Sequence, residues 1–99
     1  MTAYVVLTRT RMHDTAEFKT YGTMAKAAEP GHPLTPLAFY GEVDMLEGEP
    51  IEGAVILSFP SLAAAQAWYH SPAYQEAMQH RLKAADYTVF ITEGIDAVE

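Results

Sequence analysis

Proton transfer in this 99-residue chain falls to three side chains, His32, Tyr40 and Tyr87. His32 stands in the run Pro30-Gly31-His32-Pro33, a loop between a helix and a strand, and such loops are where a rigid scaffold displays reactive groups. Tyr40 and Tyr87 offer phenols, which donate or accept a hydrogen bond and give up a proton less readily than imidazole. Around them stand Tyr21, Phe39, Trp68, Tyr69, Tyr74 and Arg81, a density of rings and donors suited to stacking on a flat organic molecule while a few hydrogen bonds orient it. The rings also read as ordinary core. Phe18, Tyr21, Trp68 and Tyr74 fall at helical spacing, where the ring is buried and only its polar tip reaches a rim.

Other chemistries find less support. No two histidines have the i,i+4 or H-x-H spacing of a metal site, and Glu42, Asp44, Glu47, Glu49 and Glu52 spread along a strand and a loop as a solvated face. No nucleophile motif, glycine-rich phosphate loop or paired carboxylates mark a reaction, so no metal and no cofactor is expected. His70 follows a helical piece, where its ring could cap the free end, and His13 and His80 read as solvated.

The elements that must position these residues turn on Val55 to Arg81. Val55-Ile56-Leu57-Ser58-Phe59 is a short apolar and β-branched run that Pro60 ends, which predicts a buried strand. Ser61 then stands as the N-cap of an alanine-rich helix, and Ser71-Pro72 repeats the signal with proline at the first helical position. Two helical pieces, Ser61 to about Tyr69 and Pro72 to about Ala84, follow the strand, the second burying Tyr74, Ala77, Met78, Leu82 and Ala85. Ala3 to Thr10 predicts a strand covered on both faces. Asp14-Thr15-Ala16-Glu17 reads as a capping box opening a helix that runs to about Ala28. Leu37 to Met45 predicts an edge strand, Leu46 to Gly53 a solvated hairpin loop, and Asp86 to Thr92 the closing strand, ended by Gly94. The order is βαββαβ, which with right-handed crossovers gives a four-stranded antiparallel sheet with the helices on one face.

Length allows one domain, residues 1–99, burying roughly 60–65% of its unfolded surface. Cysteine is absent, so disulfides and thiolate ligands are excluded, and packing or self-association must supply any missing stability. Thirteen acidic against six basic residues give a formal charge of −7, which opposes nucleic acid and anionic membranes as partners. The segment Met1 to Arg9 lacks a basic leader, and no apolar stretch is long enough to span a bilayer, so a cytoplasmic location is expected.

The run Phe59 to Gln75 resembles the signature of the DUF1330 family, strand-F-P-S-x-x-x-A-x-x-W-Y-x-S-P-x-Y-Q. Leu46-Glu47-Gly48 and Glu93-Gly94 also sit where that family places them. The resemblance implies a ferredoxin-like α+β domain of the dimeric α/β-barrel superfamily, with an enclosed pocket between helices and sheet, but it implies no agreed reaction. Arg81 corresponds to an arginine near the end of the family's second helix, where an internal salt bridge or an anionic ligand would engage it. The family's arginine and two glycines in the second strand are replaced here by Phe39-Tyr40-Gly41, which favours a more neutral or aromatic ligand.

Two helices cover one side of such a sheet. Yet Val6 and Ile56 put apolar groups on the other, so a homodimer through that face is expected. Three functions remain open: a cofactor-independent enzyme of the oxygenase or isomerase kind acting on a small aromatic or apolar molecule, a small-molecule binding or sensing protein, and a purely structural dimer.

Overall fold

In the computed structural model, which describes residues 1–95, side chains of the first strand alternate as strand geometry requires. Ala3, Val5 and Leu7 of β1 (Ala3–Met12) are buried, and Tyr4, Val6 and Thr8 between them are half-buried. The same alternation in β3 (Gly53–Phe59) buries Val55, Leu57 and Phe59. Register then pairs like with like: Val5 lies opposite Leu57, and Val6 opposite Ile56. β2 (Thr35–Phe39) and β4 (Ala85–Glu93) flank them, giving an antiparallel sheet in the order β2-β3-β1-β4. Neighbours in sequence are not all neighbours in space, which is the crossover pattern of a βαββαβ chain.

Three helices lie on the buried side. Asp14 caps α1 (Thr15–Ala27), its carboxylate accepting from the N–H groups of Ala16 and Glu17. Ser61 caps α2 (Leu62–Tyr69) by accepting from Ala64 N–H. At the break before α3 (Pro72–Ala84), Ser71 does two jobs: its hydroxyl donates to the Trp68 carbonyl at 2.7 Å and accepts from Tyr74 N–H at 3.3 Å. The Tyr69 carbonyl is taken by the side-chain amide of Gln75 at 2.7 Å. The end of α2 is therefore satisfied by Ser71 and Gln75, while the exposed His70 ring rests edge-on against Tyr69.

The core joins the odd positions of β1 and β3 to Tyr21 of α1, Ala65 and Trp68 of α2, and Tyr74 and Ala77 of α3. Phe59, Tyr74 and Val5 are the largest side chains wholly removed from solvent, each large apolar group contributing roughly 1.5–3 kcal/mol.

Four expectations change. The second strand is short: a register shift between Pro36 and Ala38 and the left-handed backbone of Tyr40, at φ 54°, end it well before Met45. Glu17 does not complete a capping box, because its carboxylate instead meets His80 Nδ1 at 2.6 Å and ties α1 to α3, so His80 is half-buried rather than solvated. Leu82 is 59% exposed, and Arg81 takes its place in the buried stripe of α3. Arg81, finally, is in none of the ion pairs found among the described residues.

The reverse of the sheet carries a row that runs Ala38, Ile56, Val6, Phe90 across all four strands. Phe90 is 48% exposed there.

Candidate functional site

α1 packs along α3, and the residues it turns toward the sheet beyond Tyr21 are small, Gly22 and Ala25. The space they leave is a cleft of about 470 Å³. Its floor is Leu7, Val55 and Leu57 of the sheet, one wall is Phe18 and Tyr21 of α1, and Trp68 of α2 closes the inner end. The opposite wall comes from the chain around β2: Leu34, Pro36, Phe39 and Tyr40. Lys26 and Glu29 supply the charged groups of the lining.

Polar atoms at this cleft come in phenol pairs. Tyr21 and Tyr74 join hydroxyls at 2.8 Å, and Tyr40 and Tyr87 at 2.5 Å. Removal from water holds the phenols of Tyr21 and Tyr40 far above their ordinary range, reinforced in each case by the partner hydroxyl. Burial pushes Tyr74 up as well, against the opposing influence of the Tyr21 hydroxyl and the Arg81 guanidinium. All three are neutral hydroxyls at physiological pH, able to donate a hydrogen bond but not to act as bases.

Tyr40 is held from several sides. Its backbone sits in the left-handed region at φ 54°, a costly conformation for a side-chain-bearing residue, fixed by its N–H on the Ala54 carbonyl at 2.8 Å. A Cβ on Gly53 would fall 2.7 Å from Tyr40 Cδ1, so the ring lies where only glycine leaves room. The Arg9 guanidinium stands 5.0 Å from the Tyr40 ring and 5.1 Å from Phe18, while its Nε bonds Glu52 at 3.1 Å. Arg9 did not emerge as a site residue from the sequence. Its parity with Ala3, Val5 and Leu7 places it on the helix side of β1 and is the signal that identifies it.

Two buried donors have no partner among the described residues. Trp68 is 3% exposed, packs at 4.2 Å on Tyr74, and leaves Nε1 unbonded. Arg81 is 4% exposed, lies 5.2 Å from the Tyr87 ring, and leaves Nε unbonded.

Of the residues singled out from sequence, Tyr21, Phe39, Tyr40 and Trp68 line the cleft. Phe39 does so at the mouth, 72% exposed. Tyr74 and Tyr87 reach it through their hydroxyl partners, with Arg81 behind them. Tyr69 points elsewhere, donating its hydroxyl to Met78 Sδ at 3.3 Å. His32 is not among the residues lining the cleft; it borders an adjoining, more open depression that shares Lys26, Glu29 and Leu34 with it. Among the described residues no cluster of three or more His, Cys, Asp or Glu is placed to hold a metal, and no helix is long and apolar enough to cross a membrane.

A family model described as a domain of unknown function, DUF1330, matches residues 2–95. No curated protein matches the chain. Solved structures do. A dimeric ferredoxin-like protein of unknown function from Jannaschia sp. superposes with a TM-score of 0.76 at 14% identity, over 95% of this chain and all (100%) of that one. A protein of unknown function from Rhodopseudomonas palustris gives 0.71 at 17% identity, over 96% of this chain and 83% of its own. SnoaB, a cofactor-independent oxygenase from Streptomyces nogalater, gives 0.66 at 10% identity, over 98% and 96%. At such identities the likeness is one of fold, and the fold is ferredoxin-like.

Proposed function

Because the chain belongs to the DUF1330 family, a domain of unknown function, we propose a role drawn from its own cleft: it takes up a small, flat, aromatic or otherwise apolar organic molecule, to which the Tyr40–Tyr87 pair offers a hydrogen bond. One observation carries this reading. Apart from Lys26 and Glu29, the walls are hydrocarbon and aromatic ring, and the polar groups among them are phenols kept neutral by burial and the indole of Trp68, whose N–H has no partner among the described residues. Such a lining rejects ions in solvent shells and rewards a ring that stacks and accepts one or two hydrogen bonds. This reading assigns His32 no role, because it borders the adjoining depression rather than the cleft itself.

Turnover without a cofactor is the reaction class that fits. It asks for a shaped apolar volume and a positioned proton-transfer or hydrogen-bonding group, a role to which the cleft and the neutral Tyr40–Tyr87 pair are suited as hydrogen-bond donors. The oxygenase of like fold from Streptomyces nogalater lends this reading its precedent. The self-paired sheet belongs to the same proposal: the row Ala38, Ile56, Val6, Phe90 is apolar on a side no helix covers, and a two-fold copy of the chain covers it.

Thermal unfolding against a panel of phenols, naphthols and aromatic ketones tests the binding. A compound at a hundred times its Kd stabilises by about 2.7 kcal/mol, which raises Tm by roughly 10 °C or more. Tyr40→Phe is expected to weaken that rise. A panel without any shift overturns the proposal. Oxygen uptake and product analysis with the compounds that bind then separate an enzyme from a binding protein, because binding with no consumption leaves only the latter.

A further inference from the structure

Arg81 holds a permanent charge, since a guanidinium does not give up its proton within the range a folded protein survives. Yet it is buried at 4% exposure, its Nε bonds nothing, and no carboxylate pairs with it among the described residues. Its surroundings are phenols instead. It lies over Tyr87, and two turns along the same face of α3 from Tyr74, close enough for its charge to act on the hydroxyls of both Tyr74 and Tyr21. A charge removed from water without a counter-ion is expensive, and breaking such a pairing is among the most destabilising changes a core undergoes. With no counter-ion for it among the described residues, the site is short of an anion.

The route from Arg81 to the cleft is short. Tyr74 meets Tyr21 at 2.8 Å, and Tyr21 lines the cleft wall. We propose that the molecule bound here carries an ionised oxygen, as carboxylate, phenolate or enolate, on its apolar body, and that Arg81 meets this charge through a directed chain of hydroxyls. In the bound state Arg81 donates to the oxygen of Tyr74, two turns back on the same buried face of α3, Tyr74 donates to Tyr21, and the Tyr21 proton faces the ligand. Arginine only donates, whereas the Tyr21–Tyr74 bond can run in either direction, so an anion at Tyr21 selects the one in which Tyr74 donates and the Tyr21 proton turns to the ligand. Trp68 Nε1, the second unpartnered donor, belongs to a residue that lines the same cleft and adds a second demand for an acceptor oxygen. Arg81 and Tyr74 are positioning residues in this scheme, and Tyr21 is the one that touches the ligand.

This inference rests on the cleft being a binding site for flat organic molecules, and the test separates the two. Calorimetry compares 2-naphthoate with its uncharged isostere 2-naphthamide, and absorbance follows the ionisation of 4-nitrophenol at saturating protein. The carboxylate is expected to bind about tenfold or more tightly than the amide, the difference a charge-assisted hydrogen bond makes. Bound 4-nitrophenol is expected to ionise roughly one pH unit or more below the free dye. A response by naphthoate alone makes the ligand a carboxylate, and one by nitrophenol alone a phenolate or enolate. Arg81→Met and Tyr21→Phe should each reduce the carboxylate preference to less than about twofold, while Arg81→Lys restores part of it. If Arg81→Met does not fold, Tyr21→Phe alone still interrupts the chain at its last hydroxyl. Equal binding of acid and amide to the unmodified protein, with the dye's ionisation unmoved, overturns the anion and leaves the apolar site standing. Failure of all three probes to bind removes the site itself.

Discussion

The hydroxyls of Tyr21 and Tyr74 meet at 2.8 Å inside the molecule and join α1 to α3. Each is the other's principal partner in a place with little water, so removing one strands the other. Tyr21→Phe and Tyr74→Phe are each expected to cost about 1–2 kcal/mol in urea unfolding. The double substitution should cost less than the two added, by roughly 0.5–1.5 kcal/mol, because no hydroxyl is left unpaired. Strict additivity would show that the two hydroxyls do not depend on each other.

Alkali should find the same groups. Burial raises the pKa of Tyr21, Tyr40 and Tyr74 above the unfolded value of 10.0. A folded state that binds its protons more tightly than the unfolded chain gains stability that is fully present below pH about 10 and is lost as pH rises beyond it. Unfolding free energy is therefore expected to be flat in these groups from neutrality to about pH 9.5, then to fall. Phenolate absorbance from these three should appear only together with loss of structure. Their early, reversible ionisation in a folded chain would contradict the burial described.

Gly53 gives a sharper test of the cleft. A methyl group there collides with Tyr40 Cδ1 at 2.7 Å, and Tyr40 has little freedom to retreat, being tied to Ala54 through its backbone and to Tyr87 through its hydroxyl. Gly53→Ala is expected to destabilise by about 1–3 kcal/mol and to weaken any ligand that responds to Tyr40→Phe. Wild-type stability in the variant, measured by chemical unfolding, would mean that the ring moves freely.

The two serine caps should differ. Ser61 makes one capping bond, whereas Ser71 accepts from Tyr74 N–H and also satisfies the Trp68 carbonyl. Ser61→Ala is expected to cost about 1 kcal/mol and Ser71→Ala more, near 2 kcal/mol, with the excess set by the stranded carbonyl. Equal losses would show that water replaces the second bond.

On the reverse of the sheet, Ile56 lies between Val6 and Ala38 at the centre of the apolar row. Ile56→Glu is expected to convert a two-chain species into single chains in sedimentation at micromolar concentration, while leaving the helices intact by circular dichroism. An unmodified protein that already sediments as one chain would remove self-pairing from the proposal.

Much of this architecture is legible in the residues because the signals are local. The apolar runs of β1 and β3, the serine caps and Pro72 each depend on neighbours within a turn or a strand, and the strands and helix starts they predict are present. Legibility fails where a distant partner decides. Leu37, Phe39 and Val43 suggest one long strand, but the bulge at Pro36 to Ala38 and the left-handed turn at Tyr40 are set by pairing with β3 and by the space beside Gly53. Helical spacing put Leu82 inside, and the family resemblance offered Arg81 a salt bridge or an anionic ligand. The helix instead buries the arginine against Tyr87, an outcome that depends on a ring six residues further along, in β4. Of the candidate site, the sequence names rings of which Tyr21, Phe39, Tyr40 and Trp68 line the cleft, but neither the pairing into two hydroxyl couples nor the place of His32, since both depend on residues brought together from distant parts of the chain.

The missing side chain at position 53 governs more than a turn. It sets how deep the ring at position 40 is seated, and so the bore of the chamber beside it. Enlarging that chamber for a bulkier guest calls for trimming the phenol, because the strand beneath is already pared to its smallest residue.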